Sequence, residues 1–247
     1  MRRTKQLFLL FISLVQMACN KESAPDFVQT TGELTQVERT TAEFNEIELN
    51  NSIDLVLTQD TVNRIIVEAG RNLIPDILTD VNNGKMVIKN SNKFNFLRSY
   101  KKKIRVLVHY KKLIQLTYRG AGNISCTNTL NDSVFTFDNH KGTGDIQLDL
   151  NLQEAHFNIH TGQCYLKLSG YAALNYLYQA GNGYTDAGEL QTGYTFVTNK
   201  GTNDLKVNAG YLLYAQINYL GNVYYKGTPT ELSSDITDKG KLIKIEE

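Results

Sequence analysis

Four aspartates beside glycines in the second half of this 247-residue chain are the carboxylates that acid–base chemistry could use: Asp138, Asp145, Asp149 and Asp204. Cleavage of a glycosidic bond requires two carboxyl groups facing one another across the substrate. Asp145 and Asp204 each follow a glycine by three residues, but the equivalent positions between them are Tyr165 and Tyr184. An aspartate after a glycine turn typically hydrogen-bonds its own backbone. We therefore predict no catalytic residue, and a polysaccharide-active enzyme is the alternative.

Two histidines, His156 and His160, are the remaining candidates for chemistry. Side chains four residues apart share one face of a strand, but a metal site needs a third and usually a fourth ligand. The sequence around these histidines does not indicate one. No phosphate-binding loop or nucleophile elbow occurs either. We predict neither a metal site nor a cofactor.

Tyrosine is concentrated towards the C-terminus, where 11 of the 14 tyrosines follow residue 164. Tyr165, Tyr184 and Tyr224 each lie three residues after a glycine, between positions that we predict to point inward. Exposed aromatic rings offer a large apolar area at low entropic cost. We interpret these three tyrosines as a candidate surface for binding glycan, matrix or an envelope protein. A cross-rung ladder that stabilises the fold, or a contact between subunits of a homo-oligomer, is the alternative.

A glycine recurs about every 20 residues and sets the architecture that positions these side chains. The intervals are 22, 20, 19, 20, 20 and 19 residues. A fixed period of this length is typical of a solenoid, whose units become stable by stacking on one another. Glycine suits a turn that needs positive φ or close approach to the next rung. The repeat glycines are Gly120, Gly142, Gly162, Gly181, Gly201, Gly221 and Gly240.

Two-residue alternation after the glycines predicts strands, as in Gly142-Thr-Gly-Asp-Ile-Gln-Leu. Positions four and six residues after each glycine should point inward. They are Ile124, Ile146, Leu166, Thr185, Leu205 and Tyr225 at the first position, and Cys126, Leu148, Leu168, Ala187, Val207 and Gly227 at the second.

A second strand is predicted before each glycine, with an aromatic residue five positions upstream of the middle four glycines. These residues are Phe137, Phe157, Tyr176 and Phe196. Neighbouring strands lie about 4.8 Å apart, a spacing that suits offset ring stacking. We therefore predict that all four rings stack in the core.

The N-terminus predicts an exported, lipid-anchored protein. Arg2, Arg3 and Lys5 precede an apolar run, Leu7 to Val15, that is too short to span a bilayer. Residues 1–18 are interpreted as a signal peptide, and Cys19 resembles the lipidated cysteine of a bacterial lipobox. Residues 19–42 are then the lipidated cysteine and a flexible tether. We expect an outer-membrane lipoprotein that its lipid holds to the membrane. The sequence does not decide between the cell-surface and the periplasmic face of that membrane.

The charge of the exported chain disfavours nucleic acid as a partner. Removal of residues 1–18 leaves 23 Lys and Arg against 25 Asp and Glu, so the net charge is about −2. Binding of nucleic acid requires a basic surface. We predict no nucleic-acid partner.

The two remaining cysteines, Cys126 and Cys164, should not form a disulfide. They lie in rungs two apart, which separates them by about 10 Å along the solenoid, beyond disulfide reach. Cys126 is predicted to be a buried thiol.

Residues 43–112 form the predicted N-terminal β region, and residues 113–247 the glycine-repeat β-solenoid. The order of segments across both resembles the putative auto-transporter adhesin head domain, or GIN domain, family of Bacteroidota lipoproteins. The matching segments are Phe44-Asn-Glu-Ile-Glu-Leu, Ile53-Asp-Leu-Val-Leu, Asn83-Gly-Lys-Met-Val-Ile, Gly120-Ala-Gly-Asn-Ile and Gly142-Thr-Gly-Asp-Ile.

This resemblance implies an all-β, single-stranded, right-handed β-helix-like solenoid with rungs of about 20 residues, preceded by a fused N-terminal β region. For function it implies an adhesin. Together with the residue patterns, we expect a non-catalytic, lipid-anchored cell-envelope protein with a binding surface on the solenoid.

Overall fold

The computed structural model of the protein describes residues 31–92 and 103–246, where the regular structure is β-strand with one 3₁₀ turn at Ile74–Asp76. The strands described there form one hydrogen-bonded sheet, which confirms the all-β prediction. Their bounds are β1 Leu34–Arg39, β2 Glu46–Asn51, β3 Asp54–Gln59, β4 Arg64–Gly70, β5 Ile77–Asn82, β6 Lys85–Asn90, β7 Arg105–Tyr110, β8 Gln115–Gly120, β9 Ile124–Cys126, β10 Leu130–His140, β11 Asp145–Thr161, β12 Tyr165–Gly181, β13 Tyr184–Gly201, β14 Leu205–Ile217, β15 Val223–Lys226, β16 Glu231–Ile236 and β17 Leu242–Lys244.

From β10 onward the chain forms a β-solenoid with rungs of about 20 residues. β11 pairs in parallel with β12, and β12 pairs in parallel with β13. Within the second of these pairs Gly181 lies opposite Gly201, which is one rung later. Equivalent positions of successive rungs are therefore stacked, at the strand spacing of about 4.8 Å. The predicted solenoid is confirmed.

Each long strand turns a corner near its middle. In β11, Leu152 and Ala155 are both buried, whereas Gln153 and Glu154 between them face outward. A straight strand would bury every second residue, so two consecutive outward residues mark the corner. We call the segment before this corner the first half of a rung and the segment after it the second half.

The N-terminal β region is continuous with the solenoid, but its order in space differs from its order in the chain. β2 lies between β6 and β8, and β3 lies between β7 and β9. β4 and β5 pair antiparallel with β7 and β6. The chain thus makes its first rung, adds a second on the outer side, and then crosses back to begin the solenoid.

Strand β1 belongs to this folded region rather than to a tether. It pairs antiparallel with β4 from Leu34 to Arg39, and the Arg39 guanidinium donates a hydrogen bond to the Ile74 carbonyl oxygen at 2.9 Å. The prediction of a flexible tether over residues 19–42 is therefore wrong for residues 34–39. The predicted signal peptide, residues 1–18, and Cys19 lie outside the described residues.

The predicted inward columns form the core. At four residues past the glycines, Ile124, Ile146, Leu166, Thr185 and Leu205 are at most 1% exposed and Tyr225 is 9% exposed. At six residues past them, Leu148, Leu168, Ala187 and Val207 are buried as well. Gly227 and Cys126 are half-buried instead. The alternation after each glycine is therefore confirmed over most of its length.

The predicted core stack of four aromatic rings is wrong for its second half. Phe137 and Phe157 pair with each other and are fully buried. Phe157 then pairs with Leu177, whereas Tyr176 pairs with His156 on the outward side. The interval from Phe157 to Tyr176 is 19 residues and the rung there is 20, and a shift of one residue moves a side chain to the opposite face. Tyr176 and Phe196 consequently lie outside the core.

Several of the repeat glycines lie where the backbone of one rung comes close to another rung. A Cβ on Gly162 would lie 2.3 Å from the Gly142 carbonyl oxygen, and the φ angle of Gly162 is +109°. A Cβ on Gly240 would lie 2.4 Å from the Gly221 carbonyl oxygen. Close approach, one of the two reasons predicted from the sequence, therefore applies at Gly162 and Gly240.

Both cysteines in the described residues are free, as predicted. Cys164 is buried, its sulfur accepts a hydrogen bond from the Asn139 amide at 3.0 Å, and burial raises the pKa of its thiol to about 11. Cys126 was predicted to be buried but is half-buried at the edge of the core. Its sulfur accepts a hydrogen bond from the Asp149 amide at 3.2 Å.

Candidate binding surface

Three aromatic residues at one position of successive rungs form an outward stack, which we call the aromatic ladder: His156, Tyr176 and Phe196. Their centroids are separated by 4.8 Å and 5.1 Å, and neighbouring ring planes lie within 11° and 18° of parallel. Tyr176 is 36% exposed. Because the ring faces meet one another along the solenoid, the parts of the rings that reach solvent are their edges.

The strand register explains why the ladder is both ordered and exposed. His156 pairs with Tyr176, and Tyr176 pairs with Phe196, all in the second half of the rung. The next residues along each strand, Phe157, Leu177 and Val197, are buried. Because side chains alternate along a strand, these buried neighbours pack in the core while the ladder rings point away from it.

A row of polar side chains runs beside the ladder, two residues further along each strand. We call it the polar row: Asp138, Asn158, Tyr178, Thr198 and Gln216, each paired with the next. The Asn158 amide donates to Asp138 Oδ1 at 3.1 Å, and the Thr198 hydroxyl donates to Gln216 Oε1 at 3.1 Å. Lys200 Nζ lies 5.9 Å from the Tyr178 ring centroid. The ladder thus has hydrogen-bonding groups at the same repeat.

Two further tyrosines extend the aromatic surface on the other side of the ladder. Tyr194 and Tyr211 are 45% and 43% exposed, and their ring centroids lie 5.2 Å apart. The Tyr211 hydroxyl donates to Glu231 Oε1 at 3.1 Å, and this hydrogen bond raises the pKa of Tyr211. The aromatic character of this face therefore continues from β11 to β14.

The candidate surface predicted from the sequence is divided by the structure. Tyr165 and Tyr184 pair in register and stack at 5.3 Å with planes 5° apart, and we call them the tyrosine pair. They lie in the first half of the rung, before the corner that precedes the ladder. Tyr224 pairs with Lys206, which lies one row further along the sheet. The structure therefore brings two of the three predicted tyrosines together.

Tyr224 is displaced because the repeat shortens there. Leu205 pairs with Val223, an offset of 18 residues, although Gly201 and Gly221 are 20 residues apart. Lys206 Nζ forms a 3.2 Å ion pair with Asp186, and the hydrogen bond to Asp186 raises the pKa of Lys206. The tyrosine pair and Tyr224 therefore lie on either side of an ion pair and do not form one flat aromatic stripe.

Three of the four carboxylates considered for acid–base chemistry, those of Asp138, Asp149 and Asp204, accept hydrogen bonds from neighbouring rungs. Asp204 Oδ1 accepts from the backbone N–H of Asn222 at 2.8 Å. Asp149 accepts from the hydroxyls of Thr129 and Ser169. These contacts join neighbouring rungs. The sequence predicts instead that an aspartate after a glycine turn hydrogen-bonds its own backbone, and this prediction is wrong for Asp149 and Asp204.

The two histidines of the sequence analysis separate in the structure. His156 Nε2 lies 2.6 Å from Glu154 Oε1. His160 stacks on His140, with ring centroids 4.5 Å apart, and lies beside Asp138. Asp138, His140 and His160, which we call the His–Asp cluster, have ligand atoms that all lie within 4.8 Å of one another.

Residues 43–229 match the family described as putative auto-transporter adhesin, head GIN domain. The chain belongs to this family. The match confirms the resemblance to the GIN-domain family that the sequence segments indicate. Membership of this family indicates a cell-surface or envelope protein. A comparison with curated proteins gives no match.

Solved structures of similar fold include proteins from Bacteroides and Parabacteroides. A putative adhesin from Bacteroides fragilis has a TM-score of 0.78 at 20% identity, over 86% of this chain and 97% of the other. A putative adhesin from Parabacteroides distasonis has a TM-score of 0.65 at 19% identity, over 87% and 98%. A putative lipid binding protein from the same species has a TM-score of 0.60 at 19% identity, over 87% and 98%. At these identities the likeness shows the GIN-domain fold.

The aromatic ladder, the polar row and the His–Asp cluster all lie within the part of the chain that matches the GIN-domain family. In the residues that the structure describes, no helix is long and apolar enough to cross a bilayer.

Sequence reasoning missed the ladder and the His–Asp cluster, although signals for both exist. His140 and His160 are one 20-residue rung apart, and so are His156, Tyr176 and Phe196. Alignment by a constant 20-residue register, instead of by distance from the nearest glycine, would have brought these residues together.

Proposed function

We propose that this GIN-domain protein is a lipid-anchored, non-catalytic envelope adhesin that binds a linear polysaccharide along the aromatic ladder and the polar row. The observation that carries the proposal is the stack of His156, Tyr176 and Phe196, partly exposed at rung spacing beside a row of hydrogen-bonding side chains.

A repeating surface suits a repeating ligand. The ladder presents ring edges, and the polar row presents amide and hydroxyl groups, at the same interval of about 4.8 Å per rung. A sugar polymer likewise offers apolar C–H groups and hydroxyls in regular alternation along its length. Each ring contributes little alone, so affinity would come from several rungs acting together.

The ladder also has the properties of a preformed site. Register fixes each ring at its position, and stacking between neighbours limits rotation, so little conformational entropy remains to be lost on binding. Tyr194 and Tyr211 enlarge the apolar area at one end. Contiguous exposed aromatic surface of this kind marks an interaction site more often than scattered single residues do.

Affinity electrophoresis and calorimetry with a panel of bacterial, plant and mucin polysaccharides test this proposal. We expect wild type to retain at least one polysaccharide, and the Tyr176→Ala and Phe196→Ala variants each to lose about three- to tenfold in affinity, since about 30–50 Å² of apolar ring surface covered by a ligand contributes about 1 kcal/mol. Failure of wild type to retain any polysaccharide of the panel would contradict the proposal.

The tyrosine pair supplies a matched control. Tyr165→Ala and Tyr184→Ala remove stacked, outward tyrosines of similar exposure from the other side of the corner. They should leave binding unchanged. If these variants lost binding and the ladder variants kept it, the surface first predicted from the sequence would be the correct one.

The non-catalytic part of the proposal is supported by the cross-rung hydrogen bonds of Asp149 and Asp204. Incubation of the retained polysaccharide with wild type should release no shorter products. Depolymerisation that Asp145→Asn or Asp149→Asn abolished would favour the enzyme alternative.

Anchoring through Cys19 is tested by metabolic labelling with a radioactive fatty acid in a Bacteroidota host. Label should enter wild type and not Cys19→Ser. Protease treatment of intact cells then distinguishes the two faces of the membrane, since only a surface-exposed protein is degraded.

A further inference from the structure

The His–Asp cluster lies on the outward side of the second half of the rung. Asp138 and His140 are two residues apart on β10 and share one face, and His160 lies on the next rung, in β11. The two imidazole rings are stacked at 4.5 Å with planes 4° apart. Asp138 Oδ1 lies 3.2 Å from His160 Nε2.

This arrangement contains two imidazole nitrogens and one carboxylate oxygen within the range of a single ion. The ligand atoms all lie within 4.8 Å of one another. Tetrahedral zinc, with bonds of about 2.0–2.1 Å, requires separations of about 3.3 Å between ligand atoms. The His160 side chain is 39% exposed, so rotation about its side-chain bonds can bring its ligand nitrogen closer to the other two ligand atoms.

The carboxylate is already oriented by neighbouring amides. Gln115 Nε2 donates to Asp138 Oδ2 at 3.0 Å, and Asn158 Nδ2 donates to Asp138 Oδ1 at 3.1 Å. Hydrogen bonds of this kind fix metal-ligating carboxylates in known sites, and their loss typically weakens metal binding 10- to 100-fold.

One cation faces the cluster from a neighbouring strand, the guanidinium of Arg119. Its Nε lies 3.8 Å from Glu48 Oε1, and this carboxylate reduces the repulsion that Arg119 exerts on a bound cation.

We propose that Asp138, His140 and His160 form a binding site for a first-row divalent cation of the zinc, nickel or copper type. Imidazole with one carboxylate suits these ions, whereas calcium and magnesium prefer sites made of oxygen alone. The ion joins two successive rungs and keeps positions open towards solvent. The site shares Asp138 with the polar row and contains no residue of the ladder, and zinc binding is measured in the absence of polysaccharide.

Calorimetric titration of the tag-free protein with Zn²⁺, and visible absorption after addition of Co²⁺, test the site. Wild type should bind one equivalent of zinc and show a cobalt d–d spectrum. His140→Ala, His160→Ala and Asp138→Asn should each weaken zinc binding at least tenfold and abolish that spectrum. Gln115→Ala, which removes a contact to the carboxylate but no ligand, should weaken zinc binding about 10- to 100-fold.

His156→Ala is the matched control. It removes an outward histidine from the same strand, four residues from His160, and should leave zinc affinity unchanged. In the presence of a chelator, wild type and the three single histidine variants should unfold at the same temperature. Added zinc should raise the unfolding temperature of wild type and of His156→Ala only.

Protonation of the imidazoles competes with the metal, so zinc affinity of wild type should fall when the pH is lowered from about 7.5 to about 5.5. Absence of binding up to about 1 mM zinc, or equal binding by wild type and a His140→Ala/His160→Ala double variant, would overturn the proposal.

Discussion

Phe157 and Tyr176 occupy the same place relative to their glycines but point to opposite sides of the sheet. Phe157 is fully buried and pairs with Leu177, whereas Tyr176 pairs with His156 and is 36% exposed. The one-residue difference between the 19-residue glycine interval and the 20-residue rung accounts for this inversion. It moves an aromatic residue from the core to the surface and so begins the exposed part of the ladder.

This relationship predicts opposite costs for two similar substitutions. Phe157→Ala should lower the free energy of unfolding by about 3–5 kcal/mol, because it leaves a cavity in a close-packed core. Tyr176→Ala should lower it by about 1 kcal/mol or less, since the ring is partly solvated and only its stacking is lost. Urea unfolding followed by circular dichroism measures both. Equal losses would place Tyr176 in the core after all.

The strands after each glycine were predictable because their pattern is local. Alternation of apolar and polar residues over six positions is enough to assign Ile146 and Leu148 to the core, and both are buried. The corner at Gln153 and Glu154 is the point where this local pattern fails, since two successive residues face outward there. Beyond it, the inward face can be assigned only from the register with the next rung.

The N-terminal order was unpredictable for a different reason. A sequence indicates that β2, β3, β6 and β7 are strands, but not which strand lies beside which. The structure places β2 between β6 and β8, strands that are far from each other in the chain. Pairing of this kind depends on the closure of long loops and on edges that only the assembled fold presents.

Two repeat glycines separate the contributions of backbone strain and of close approach. Gly162 and Gly181 both have positive φ, but a Cβ would lie 2.3 Å from the Gly142 carbonyl oxygen at the first and no closer than 3.9 Å to any neighbour at the second. Gly181→Ala should therefore cost about 1–2 kcal/mol, from left-handed backbone conformation alone. Gly162→Ala should cost clearly more, because the rungs must separate. Thermal unfolding of the two variants is the measurement, and equal shifts would show that contact between rungs is unimportant.

Removal of the Tyr118 hydroxyl oxygen should lower the free energy of unfolding substantially. Its hydroxyl donates to the Gly122 carbonyl at 2.6 Å and accepts from the Gly144 N–H at 3.0 Å, within the core between two rungs. Tyr118→Phe keeps the ring but leaves a buried carbonyl and a buried N–H without this partner, so we expect a loss of about 1–3 kcal/mol. Tyr184→Phe, at a partly exposed tyrosine, is the control and should change the free energy of unfolding by less than about 0.5 kcal/mol. Denaturant unfolding of the three proteins decides whether the hydrogen bonds of Tyr118 contribute as expected.

Cys164 makes the stability of the fold depend on alkaline pH. Burial raises the pKa of its thiol from an ordinary value of 9.0 to about 11, so between these values the unfolded chain releases a proton that the folded chain retains. The folded state therefore binds more protons, and the free energy of unfolding falls as the pH rises from about 9 to about 11. The stabilising contribution of the Cys164 thiol is fully present below pH 9. By the time the pH reaches the folded-state pKa, the free energy of unfolding has fallen by about 2–3 kcal/mol. Urea unfolding of wild type and Cys164→Ala at intervals across this range measures the difference, in which the titration of lysines and tyrosines cancels. The difference should decline with pH, and a constant difference would mean that the Cys164 thiol titrates normally in the folded protein.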